Sequence, residues 1–155
     1  MTLRAILTLL MSTAAVAANA GGVLIVKDAW IPESPPVARV VAAYMELVNA
    51  GAQEAVVVGA TSADFGHIEM HRTIERDGVA RMVAEPEVAV PAGGSVTLRP
   101  RGLHLMLMEP KRALRAGDTV EIDLQLRDGG TVKAVPAVRA GAPAAATGGH
   151  EHHQH

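Results

Sequence analysis

The sequence of 155 residues contains no cysteine. A secreted chain without cysteine has no disulfide framework, so packing alone must hold it together. The same absence removes whole classes of chemistry. Blue-copper electron transfer requires a thiolate ligand, as do iron–sulfur clusters and thiol redox motifs. Any metal bound here must be held by histidine, methionine or carboxylate. An excess of one charge is also missing: 14 Lys and Arg stand against 16 Asp and Glu, a formal charge of −2. No basic stripe is present to grip nucleic acid. Beyond the first 20 residues no apolar run could span a bilayer, so no stable membrane insertion is expected. Helical periodicity is absent as well, and a single turn over Leu114–Gly117 is the most helix the pattern allows.

What is present begins with an export signal. Arg4 supplies positive charge, Ala5 to Ala18 form an apolar run, and Ala18-Asn19-Ala20 matches the small-x-small pattern that signal peptidase cleaves. The run falls short of the roughly 20 apolar residues that a bilayer span needs. Residues 1–20 are therefore read as a signal peptide. The mature chain from Gly21 loses Arg4, carries a formal charge of −3, and is long enough to bury one core.

Short β-branched segments bounded by turn formers then follow one another. Gly22–Val26, Val40–Val48, Ala55–Thr61, Ile68–Glu75, Val79–Val83, Val88–Val90, Ser95–Leu98, Leu103–Met108, Thr119–Leu126 and Thr131–Val138 all read as strands. Asp77-Gly78 is a strong hairpin signal. Between the first two strands, Asp28–Pro36 reads as irregular because Glu33-Ser34-Pro35-Pro36 breaks any ladder. Its Trp30, the only tryptophan, is expected to be a buried core anchor. Strands this short and this regularly spaced predict an all-β Greek-key sandwich over residues 21–139. From Ala140 the composition shifts to Gly, Ala, Pro and Thr, and the chain ends in His150, His152, His153 and His155. Such a segment cannot bury apolar area sufficient to offset its ordering entropy, so residues 140–155 are read as a flexible tail.

Histidine and methionine are unevenly placed. Outside the tail, all three histidines and four of the five methionines of the mature chain fall between residues 67 and 108. A two-residue loop at Asp77-Gly78 sets Thr73 opposite Met82, and alternation then puts His71 on the face of Met82 as its diagonal neighbour. In Leu103–Met108, alternation puts His104, Met106 and Met108 on one face and three leucines on the other. The leucines belong in the core. Imidazole and thioether together favour Cu(I), because a soft sulfur donor prefers a soft ion. Neither ligand must lose a proton at neutral pH. His67 shares the parity of His71 and reaches the edge of this group, Met108 lies one pleat beyond Met106, and Met70 faces the core. None of these three is expected to be a ligand.

The four residues also carry a family resemblance. His71, ten residues, Met82, twenty-one residues, His104, one residue and Met106 resemble the copper motif of the PCu(A)C periplasmic copper chaperones. Ile68-Glu69-Met70-His71, Pro91-Ala92-Gly93-Gly94 and Gly102–Met108 agree with it, as do Asp28-Ala29-Trp30, Pro35-Pro36 and Ala43-Tyr44-Met45 upstream. The resemblance covers residues 23–138. It implies a cupredoxin-like sandwich with an exposed Cu(I) site formed by His71, Met82, His104 and Met106. It also implies a periplasmic protein that delivers copper to the binuclear copper centre of cytochrome c oxidase, directly or through a Sco-type thiol protein, and a monomer is expected. The tail histidines His150, His152, His153 and His155 suit an auxiliary metal-capturing segment, with imidazole taking Cu(II). That segment supports an alternative role, copper sequestration or resistance. Catalysis is not expected, because no Ser/His/Asp or paired-carboxylate pattern accompanies Asp64 and Glu69.

Overall fold

A computed structural model describes residues 23–141. Residues 1–20, read from the sequence as a signal peptide, and all but the first two residues of the segment read as a tail lie outside them. Eleven strands are formed: β1 (Leu24–Pro32), β2 (Val40–Asn49), β3 (Ala55–Thr61), β4 (His67–Arg76), β5 (Val79–Ala84), β6 (Val88–Val90), β7 (Ser95–Leu98), β8 (Leu103–Met108), β9 (Ile122–Leu126), β10 (Thr131–Ala134) and β11 (Ala137–Arg139). One sheet runs β11-β1-β2-β8-β4-β5, with β7 continuing β2 beyond β8; the other runs β10-β9-β3-β6. The result is a cupredoxin-like β-sandwich, all-β as the strand pattern predicts, and no described helix could cross a membrane.

Alternation decides which side chains fill the space between the sheets. Leu103, Leu105 and Leu107 of β8 point inward with Val41, Ala43, Met45 and Leu47 of β2 and Met70 of β4. Opposite them lie Ile122, Leu124 and Leu126 of β9, Val57 of β3 and Val90 of β6. Asn49 closes one end. It is fully buried, its amide donates to the carbonyls of Gln53 (2.7 Å) and Val90 (3.0 Å), and its oxygen accepts from the Gly51 N–H (2.9 Å). The end of β2 is thereby tied to the second sheet.

Three expectations need correction. The first strand does not stop at Val26 but continues to Pro32, because Asp28 adopts φ 48° and absorbs a bulge between Lys27 and Trp30. Trp30 consequently faces away from the core. It is half-buried, its ring 4.6 Å from that of Tyr44, with the Arg139 guanidinium 5.6 Å above it. The last predicted strand is divided, since Pro136 offers no N–H to continue a ladder and separates β10 from β11. Leu114–Gly117 stays within the limit of one turn expected of it and forms no helix: Asp118 accepts the Arg115 N–H (2.9 Å) and Gly117 turns the chain at φ 92°.

Candidate metal centre

The outer face of the larger sheet carries the chemistry. Asp77 and Gly78 both adopt positive φ (54° and 74°), the geometry of a two-residue hairpin turn. That turn fixes the β4–β5 register, with Thr73 opposite Met82 and His71 opposite Ala84. Met82 is thus the diagonal neighbour of His71, as the turn predicts. On the other side of β4, the antiparallel register with β8 sets His71 opposite His104, Glu69 opposite Met106 and His67 opposite Met108. Paired residues of a ladder share a face. His71 therefore has His104 beside it on one flank and Met82 diagonally on the other, with Met106 one rung along.

The two imidazoles are held differently. His104 is only 2 % exposed despite pointing away from the core. Tyr44 from β2 covers one side, its ring 6.4 Å from that of His104, and His71 lies on the other at 6.3 Å. The Nδ1 of His104 sits 2.9 Å from the Gly102 carbonyl, which can only accept, so Nδ1 carries the proton and Nε2 presents its lone pair. His71 is arranged in the opposite sense. Its Nε2 donates to the Glu69 carboxylate at 2.8 Å, which leaves the lone pair on Nδ1. Both lone-pair nitrogens, His104 Nε2 and His71 Nδ1, are buried and have no hydrogen-bond partner.

A buried polar atom without a partner costs about 1–3 kcal/mol. Two such atoms on facing rings, each held in the right tautomer by a second hydrogen bond, form the arrangement a metal ion would satisfy. Among the described residues no group of three or more His, Asp and Glu is placed to hold a metal. Met82 and Met106 lie on the same face, and their thioethers would add neutral, soft donors to the two imidazoles. Alternation places His71 with Met82 and His104 with Met106 on shared faces, and the family resemblance joins the two pairs; the register agrees with both placements. Alternation did not reveal the roles of Glu69 and the Gly102 carbonyl, although Glu69-x-His71 spacing already places carboxylate and imidazole on one face. Nor did it reveal that Tyr44 buries a hydroxyl with no partner beside this group.

Residues 24–138 match the LpqE-like family, whose description is that of a lipoprotein. The chain belongs to the LpqE-like family. A Leifsonia xyli subsp. xyli protein described as a lipoprotein, Lxx21020, is 35 % identical over 107 residues, 68 % of this chain. The match spans 63 % of that relative's length, less than two thirds. Among solved structures, CuI-DR1885 from Deinococcus radiodurans superposes with a TM-score of 0.59 at 35 % identity, covering 82 % of this chain and 83 % of that one. The copper-bound PCuAC domain from PmoF2 shares the fold at a TM-score of 0.64 and 24 % identity, covering 78 % and 96 %.

In this LpqE-like protein, burial pushes the His104 pKa below its ordinary value; the Gly102 hydrogen bond opposes that shift and the nearby His71 adds to it. Folded His104 therefore resists protonation more than it does in the unfolded chain, where histidine titrates near about 6.5. Stability is fully present above that unfolded value and is lost as pH falls toward the lower folded value. Urea titrations of the metal-free protein at pH 7.5 and 5.5 are expected to show lower stability at 5.5. The drop should be smaller in His104→Gln. An equal drop in both proteins would remove His104 as its source.

Proposed function

We propose that the protein binds Cu(I) through His71, Met82, His104 and Met106 and passes it on as cargo, in the periplasm, for assembly of the cytochrome c oxidase copper centre. The observation that carries this reading is the pair of buried, unpartnered nitrogens on the facing rings of His71 and His104. Two imidazoles with two thioethers suit a monovalent soft ion, and binding releases no proton. The copper(I) form in which DR1885 was solved supports the choice of ion. The reading of residues 1–20 as an export signal and the lipoprotein description of the family support the compartment.

The ligands are unequal, and that suits delivery. His104 is buried and pinned on the central strand β8. Met82 is 38 % exposed on β5, a strand at the sheet edge whose six residues are all exposed. An acceptor thiolate can approach from the Met82 side, displace Met82 and then His71, and reach His104 last. Neutral ligands give way readily to thiolates, so ligand exchange needs no catalytic group.

The four tail histidines support a second reading, sequestration of copper. The two separate in cells. With His71→Ala as the only copy, the copper content of cytochrome c oxidase should fall, whereas deletion of residues 148–155 should lower bound copper per chain and leave the oxidase intact. Normal oxidase with His71→Ala, together with copper sensitivity in the deletion strain, would favour sequestration and overturn delivery.

A further inference from the structure

Beside the His71–His104 rung, the β4–β8 ladder continues with further donors on the same face. Glu69 stands opposite Met106, and His67 stands opposite Met108. The Glu69 carboxylate lies between the two histidines of its own strand. One oxygen accepts from His71 Nε2 at 2.8 Å, and the other lies 3.8 Å from His67 Nε2. The first contact is a hydrogen bond; the second is too long for one. One ion ligated by both at about 2.0–2.2 Å would set that nitrogen and oxygen roughly 3.0–3.5 Å apart, so a small rotation of either side chain closes the gap around it. His67 and Glu69 are 51 % and 49 % exposed at their side chains, so an ion from solvent can reach both. Met108, partly buried, stands opposite His67 on the same face across the ladder.

We propose that His67, Glu69 and Met108 form a second cation station, distinct from the His71–His104 pair and selective for a divalent ion. The donor chemistry sets the selectivity. One imidazole and one carboxylate are nitrogen and oxygen donors that suit Cu(II), with the thioether as a weak additional ligand and water completing the shell. The paired imidazoles and thioethers of the neighbouring site lack any anionic donor and favour Cu(I). Glu69 joins the two stations, because the carboxylate that would bind an ion at His67 is the same one that holds the His71 tautomer. Sequence parity alone placed His67 and Met108 at the margin as non-ligands; the carboxylate between the histidines gives them a role. The identity of the ion as copper rests on the function proposed above, but the station itself does not.

The test uses the full chain with His150, His152, His153 and His155 replaced by Gln, which removes the tail's imidazoles. One equivalent of Ag(I), a redox-inert stand-in for Cu(I), fills the His71–His104 site, and Cu(II) is then titrated by calorimetry and electron paramagnetic resonance. One Cu(II) per chain is expected, with nitrogen splitting from a single imidazole. His67→Gln should weaken that uptake at least tenfold while Ag(I) binding persists, and Met108→Leu should weaken it a few-fold. Ag(I)-filled protein that takes up no Cu(II), or takes it up undiminished after His67→Gln, overturns the station. Cu(II) uptake that depends on His67 in a protein that fails to bind Ag(I) would instead sink the proposed Cu(I) function and leave the station standing.

Discussion

Met106→Leu and His71→Ala are each expected to lower Cu(I) affinity at least about 100-fold, a loss of about 2.8 kcal/mol. Leucine nearly matches methionine in volume, so the first change removes a sulfur with little change in packing. Met106 sits between Ala42 and Glu69 on its two neighbouring strands, and nothing in that register needs a thioether for folding. His71→Ala removes a ring whose Nδ1 has no partner in the protein, so no internal hydrogen bond of that atom is lost with it. Glu69 loses its closest contact, but it is half exposed and water can replace the donor. Competition against a chromogenic Cu(I) chelator measures the effect, and circular dichroism checks the fold. Unchanged affinity in either folded variant would remove that residue from the site.

Leu107→Ala is expected to have the largest effect on folding. Leu107 is 0 % exposed at the centre of the larger sheet, paired with Val41 on one side and Ile68 on the other. Truncating a buried leucine costs about 2–5 kcal/mol, the lost transfer energy plus the cavity left behind. A domain of this size has a total stability of about 5–15 kcal/mol, so the change removes a large fraction of it. Urea denaturation should show a much lower midpoint with little change in slope. Met82→Leu, on the exposed edge strand, should leave the midpoint nearly unmoved while weakening Cu(I) binding. A midpoint for Leu107→Ala close to that of the unaltered protein would mean that the space between the sheets collapses around the cavity.

The contrast between those two methionine and leucine strands shows how much a sequence can reveal. The leucine face of β8 and the β4–β5 register were legible, because both follow from local rules: alternation along a strand and a two-residue turn at Asp77-Gly78. The pairing of β4 with β8 was not. Residues 67 to 72 and 103 to 108 are far apart in the chain, and nothing in either segment specifies its neighbour. Only the spacing shared with a known copper motif suggested that His71 and His104 meet. Parity correctly assigned His104 to the outer face, yet gave no hint that it would be buried there, since its cover comes from Tyr44 and His71 on flanking strands. Trp30 was misplaced for a related reason. A positive φ at Asp28 shifts the alternation of β1, and aspartate does not announce that shift as glycine would. The roles of Glu69 and Gly102 escaped because they depend on which ring nitrogen each touches, a feature of geometry and not of spacing.

X-ray absorption at the copper edge of the Cu(I)-loaded protein, with the tail histidines replaced, tests the central claim most directly. Two nitrogen neighbours and two sulfur neighbours are predicted, falling to one sulfur in Met106→Leu. A shell without sulfur would show that the facing imidazoles of β4 and β8 bind their ion without either thioether, and one that Met106→Leu leaves unchanged would remove Met106 from the site; either contradicts the four-ligand set.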